Sequence, residues 1–287
     1  MIYALVGALV VGLSLGIFGS GGSILTVPVL LYLLQHEDKV AIAESLAIVG
    51  AIALVGALPY AKDKLVEWRT ALLFGVPGMI GTYLGAWIAA FVAGYVQLFV
   101  FAAVMLFAGF MMWRSARRTA PAQGKGEAES VEASRGKQRS ILKIGADGLA
   151  VGVLTGFVGV GGGFLIVPAL VLLGGLPMRR AVGTSLVIIA MKSATGYVKY
   201  LDVLDGLGLT VDWSTIGVFS AVGMVGSFVG KAISGRLNQS VLKKGFAVFL
   251  GVMAVFIVVR EAAELTTAET AADRSAEPAS AINSTGG

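Results

Sequence analysis

The chain has 287 residues, of which 56% are hydrophobic and 14% charged, with one histidine, no cysteine and a formal net charge of +5. Soluble domains carry about a quarter charged residues, so this composition argues for a membrane-embedded core. Absent cysteine excludes disulfides, thiolate metal sites and a cysteine nucleophile, and the single His36 leaves little for a metal centre or a catalytic triad.

The chain begins apolar without a basic region, so Met1 to Phe18 reads as a retained helix rather than a cleaved signal. It forms the first member of a broken pair, about 2–18 with 24–35. Three long apolar runs follow, at about 41–60, 70–93 and 95–113. A polar stretch at 115–142, rich in Ala, Gly, Ser, Glu, Lys and Arg, is expected to be a disordered linker. A second broken pair, 144–158 with 164–174, precedes runs at 181–201, 214–235 and 241–259. Each long run approaches the ~20 residues that cross a bilayer, whereas the second member of each pair reaches about halfway. The expected units are a first repeat at 1–114, the linker, a second repeat at 143–260 and a disordered tail at 261–287.

The two halves repeat a motif 140 positions apart. Copy one reads Gly12-x3-Gly16-x2-Gly19-Ser20-Gly21-Gly22-Ser23 and continues to Val27-Pro28-x-Leu30. Copy two reads Gly152-x3-Gly156-x2-Gly159-Val160-Gly161-Gly162-Gly163 and continues to Val167-Pro168-x-Leu170. Ser45-Leu46 falls on Ser185-Leu186; after a five-residue slip Trp68 matches Trp213, and Gly78, Gly81 and Gly85 match Gly223, Gly226 and Gly230. Glycine-interrupted apolar segments at corresponding places of two halves mark the site of secondary transporters. The Val-Pro of each copy suits the first turn of a half-helix, where a missing N–H costs nothing.

Charge sets the orientation. From Arg114 to Lys143 there are eight Lys or Arg against three Glu, which places the linker in the cytoplasm. Parity then puts residues 36–40 outside, Lys62, Lys64 and Arg69 inside, Arg179 and Arg180 inside, Asp202, Asp205 and Asp212 outside, and Arg236, Lys243 and Lys244 inside. Both termini come out extracytoplasmic and the halves inverted. The expected fold is an all-α integral membrane protein, an inverted repeat of two halves. Each half holds a broken or re-entrant helix pair and three transmembrane helices, giving eight to ten helical segments.

Several residues carry candidate chemistry. Inversion should bring Gly19–Ser23 and Gly159–Gly163 together near the midplane, with backbone N–H groups at half-helix starts favouring an anion and Ser20 and Ser23 as further donors. The alternative is that Gly19, Gly21, Gly22, Gly159, Gly161, Gly162 and Gly163 only permit close packing. Lys192 lies about 16 Å into its run by helical rise, and a lysine at that depth needs a cavity or a partner. It is a candidate to attract the anion or to titrate with a coupled proton; otherwise it is a structural charge on helix-break carbonyls. Ser45, Thr184 and Ser185 start matched helices as oxyanion donors or as N-caps. Glu44 reads as a proton carrier or, being shallow, as a cap or an interfacial carboxylate, His36 as a solvated loop residue or a sensor, Lys231 and Lys199 as snorkelling to the surfaces. Trp68, Trp87, Trp113 and Trp213 fit interfacial belts, and the Gly78, Gly81, Gly85 series fits close helix packing.

The doubled turn with Val-Pro, Thr184-Ser185-Leu186 and the Gly-x2-Gly-x3-Gly helices resembles the TauE/SafE sulfite exporter family of membrane permeases over about residues 3–259. The first half departs from the family's small-Thr-Ser-Leu pattern with Ala43-Glu44-Ser45-Leu46. The resemblance implies a multi-pass protein of the cell inner membrane that moves sulfite, sulfonates, sulfoacetate or thiosulfate on an ion gradient. The expected partners are a small organic or inorganic sulfur oxyanion, a coupling ion for which H+ is the candidate, the lipid bilayer and a second copy of the chain. Basic residues clustered at the ends of apolar runs exclude nucleic acid, and no cofactor or enzymatic activity is expected. The competing reading is an anion-conducting channel.

Overall fold

The computed structural model describes residues 2–89, 91–92, 94–119, 141–158 and 163–276. Among them are ten helices and no strand: α1 (Ile2–Phe18), α2 (Gly22–Leu33), α3 (Asp38–Lys62), α4 (Trp68–Ala89), α5 (Gly94–Thr119), α6 (Ile141–Val158), α7 (Gly163–Leu172), α8 (Met178–Leu207), α9 (Trp213–Arg236) and α10 (Gln239–Ala276). Six are long and apolar enough to cross a membrane: Lys39–Lys62, Trp68–Ala89, Phe99–Arg117, Met178–Leu207, Trp213–Arg236 and Gln239–Val259. α2 has 12 residues and α7 has 10, which at 1.5 Å per residue gives about 18 and 15 Å. α2 follows α1 across residues 19–21; α7 follows α6 across residues 159–162, which lie outside the described residues.

Helices dominate because the segments are apolar all round, and backbone in hydrocarbon must satisfy its own hydrogen bonds. The same demand corrects the reading of the Val-Pro pairs. Pro28 and Pro168 sit inside α2 and α7 rather than in their first turns, because the apolar residues ahead of each proline are themselves helical. α10 also runs on to Ala276, past the expected start of a tail at 261; the Ala- and Glu-rich stretch there favours helix. Of the linker expected at 115–142, residues 115–119 close α5 and 141–142 open α6, while 120–140 and residues 277–287 lie outside the described residues.

Packing runs between the halves more than within them. α1 lies on α9 and α4 on α6, while α3 packs on α8 and α5 on α10. Exchanging the halves interchanges the α1–α9 and α4–α6 pairings and maps α3–α8 and α5–α10 onto themselves. In lipid no hydrophobic drive separates helix from solvent, so close backbone approach carries the association. A Cβ on Gly12 would lie 1.9 Å from the Gly223 carbonyl oxygen, and one on Gly152 2.2 Å from that of Gly78. The pattern repeats at Gly16 against the Ser227 oxygen (2.2 Å) and Gly156 against that of Thr82 (2.0 Å). The glycine series on α4 and α9 are thus seats for the first helix of the opposite half. Outside these seams the helices expose Leu54, Tyr83, Phe107 and Val252, a surface suited to acyl chains, and Trp68, Trp87, Trp113 and Trp213 are exposed as belt residues would be.

Candidate functional site

The first helix break is held from the opposite half. α1 ends at Gly19, whose φ of +74° is in the left-handed region that favours glycine. The Ser185 hydroxyl of α8 lies 2.8 Å from the Gly19 carbonyl and 2.8 Å from that of Val182, so Ser185 braces the turn. A Cβ on Gly19 would fall 2.6 Å from that hydroxyl. One turn back, the Tyr60 hydroxyl donates to the Gly16 carbonyl at 2.8 Å. Ser20 is fully buried, and Gly21 precedes α2 with no side-chain cap on the helix start. A Cβ on Gly21 would meet the Ser14 hydroxyl at 2.0 Å and one on Gly22 the Leu15 side chain at 2.4 Å. These faces of the turn are therefore packed against α1. The side chain of Ser23 lies outside the described residues, as do Gly159, Gly161 and Gly162, while Gly163 is buried at the start of α7.

The serine and threonine candidates do not converge. Ser45 bonds the Ile42 carbonyl of its own helix at 2.8 Å. Thr184 accepts the backbone N–H of Glu67, ahead of α4, at 3.0 Å. Its counterpart Glu44 does the same on the matched loop, where Glu44 Oε1 accepts the Asp212 N–H at 2.8 Å. The departure from the family pattern at Glu44 thus preserves a backbone tether. Glu44 is fully buried and not an interfacial carboxylate; its second oxygen lies 2.7 Å from His36 Nδ1, so His36 is bound rather than solvated. Lys231 pairs with Asp63 at the end of α3 instead of snorkelling alone.

Lys192 is half-buried near the middle of α8, about 10 Å along it from Ser185 by helical rise. Its amino group lies 3.4 Å from the Thr155 hydroxyl of α6, and Thr155 in turn donates to the Gly152 carbonyl at 3.0 Å. Among the described residues no carboxylate is in ion-pair range of Lys192. A cation at this depth with only a neutral hydroxyl beside it favours an anion. The corresponding positions of the first half, Leu15 and Ile52, are fully buried aliphatics. Sequence reasoning found Lys192 and missed Thr155, which stands where the first half has Leu15 just as Lys192 stands where it has Ile52. An apolar groove of about 540 Å3 between α3 and α8, with Ser193 and Tyr197 in its wall, lacks the charge to hold an anion.

The model of the sulfite exporter TauE/SafE family matches residues 4–257. The chain belongs to the TauE/SafE sulfite exporter family. A probable membrane transporter protein of Xylella fastidiosa (strain 9a5c) is 31% identical over 258 residues, covering 89% of this chain and 94% of that relative. The probable membrane transporter protein YunE of Bacillus subtilis (strain 168) is 26% identical over 264 residues, covering 86% and 93%. No solved structure matches the chain. This TauE/SafE protein is accordingly a multi-pass membrane transporter, and the family name points to a small anion as its substrate.

Proposed function

We propose that this protein is a secondary transporter that moves small sulfur-containing anions, such as sulfite, sulfonates, sulfoacetate or thiosulfate, by alternating access. The anion is held near the midplane between the two glycine breaks, with Lys192 supplying the charge and Thr155 a hydroxyl. The halves, residues 1–114 and 143–260, are inverted about a cytoplasmic linker, and both termini are extracytoplasmic. Supporting this reading, the cross-half packing pattern is unchanged when the halves are exchanged. The observation that carries it is the Lys192 amino group in mid-helix beside a neutral hydroxyl. A cation desolvated at that depth is stabilised by an arriving anion, and the same charge gives the path its selectivity.

The test is flux per folded molecule in liposomes. Lys192→Met should lose most uptake, and Lys192→Arg should keep partial uptake with altered affinity, because the planar guanidinium places its charge elsewhere. Thr155→Val should weaken apparent affinity with less effect on the folded yield. Wild-type flux in Lys192→Met would remove this lysine from the path.

A further inference from the structure

The two membrane faces are tied by the same backbone tether but by different charges. On one face Thr184 takes the Glu67 N–H, and the Glu67 carboxylate meets Arg180 at 2.6 Å. On the other, the matched residue Glu44 takes the Asp212 N–H at 2.8 Å and meets His36 at 2.7 Å. Glu44 therefore links the α2–α3 connection to the α8–α9 connection from a site with no solvent exposure. A cavity of about 330 Å3 opens beside it, lined by His36, Glu37, Val40, Glu44, Thr210 and Asp212 among others. His36 is the sole histidine of the chain.

A guanidinium keeps its proton at every physiological pH, whereas an imidazole ordinarily titrates between pH 5 and 8. With His36 protonated, the His36–Glu44 pair is neutral as a whole. Without that proton the Glu44 charge is buried against one backbone N–H, which favours rehydration and parting of the loops. The Asp212 carboxylate accepts from the Thr215 hydroxyl and the Ser214 N–H and also faces the His36 imidazole. Glu37 adds negative charge at the cavity, and α8 presents the phenol of Tyr197 within electrostatic reach of Glu44. The basic groups at this end of α3 and α8, Lys39 and Lys199, are exposed.

We propose that His36 and Glu44 form a proton-binding site that locks the α2–α3 and α8–α9 connections together when occupied. Closure of this face, extracytoplasmic in the proposed orientation, then takes up a proton, while closure of the Arg180–Glu67 face does not. Because the locked pair holds a proton that the parted loops need not hold, lower pH favours the lock and higher pH disfavours it.

The absence of cysteine allows a direct test. Spin labels on the Lys39→Cys, Thr210→Cys protein report the distance across the His36 face, and labels on Arg69→Cys, Leu173→Cys report the other. The short-distance population across the His36 face should fall several-fold between pH 5.5 and 8.5, with the other face unchanged. In His36→Gln and Glu44→Gln backgrounds the response should vanish. A wild-type distance that ignores pH, a response that survives His36→Gln, or an equal response on both faces would overturn the proposal. Because the readout is a distance, it decides this question independently of whether sulfur-anion flux is found.

Discussion

Adding one methyl group at Gly12 or Gly152 tests whether the halves are joined through glycine seams. The Cβ would sit 1.9 Å from the Gly223 oxygen in the first case and 2.2 Å from the Gly78 oxygen in the second. Neither obstacle is a flexible side chain, so the helices must part by about 1 Å to recover van der Waals contact. Such overpacking costs about 1–3 kcal/mol, against a gain of about 1 kcal/mol from replacing glycine by alanine within a helix. The net expectation is a loss reaching about 2 kcal/mol for each variant, and a similar one for both because the seams are equivalent. Gly217 and Gly251 have nothing within 4 Å of an added Cβ, so Gly217→Ala and Gly251→Ala should be neutral or mildly stabilising. Thermal melting of the purified protein in one detergent, followed by loss of the monodisperse chromatographic peak, ranks the four. If Gly12→Ala and Gly152→Ala melt with Gly217→Ala, helix contact at the seams is not what holds the halves together.

Two further predictions concern orientation and a helix cap. A reporter fused after Gly287 should read extracytoplasmic and one inserted near Gly126 cytoplasmic, because the spans Met178–Leu207, Trp213–Arg236 and Gln239–Val259 separate them; both on one side would refute the inverted arrangement. Asp212 caps α9 by accepting from the Thr215 hydroxyl and the Ser214 N–H, and these bonds hold its carboxyl below the usual carboxylate range. Its contribution is present above that range and lost as pH falls through the lowered value. Asp212→Ala should therefore lower the melting temperature at neutral pH, with the gap to wild type closing in strong acid; a gap independent of pH would mean the cap is not ionic.

The six long spans were legible because hydrocarbon leaves a chain few options, and length and polarity then set the elements. The glycine motifs were legible as a repeat, but not what each glycine touches. Gly12 and Gly16 lie on α9 of the other half and Gly22 lies against Leu15, contacts across the sequence that spacing alone does not encode. Lys192 stood out because charge at depth is costly, whereas Thr155, a small hydroxyl that bonds its own helix, is cheap in a membrane and leaves no such mark. Thr184 and Ser185 show the same limit. Adjacent in sequence, they point to the Glu67 loop and the Gly19 turn respectively, because neighbouring residues on a helix face directions about 100° apart. Glu44 broke the family pattern, and only the fold reveals that its carboxylate does the work of the matched threonine hydroxyl.

Counterflow in proteoliposomes tests the central claim most directly. Vesicles holding purified protein and a high concentration of unlabelled sulfite, sulfoacetate, thiosulfate or a control anion such as chloride are diluted into traces of the same labelled anion. A carrier that presents one Lys192-centred site alternately to each side should transiently concentrate the labelled sulfur anion inside, saturably, and Lys192→Met should abolish the overshoot while the protein remains folded. Label that equilibrates without overshoot at channel-like rates, or an overshoot undiminished in Lys192→Met, would contradict the account.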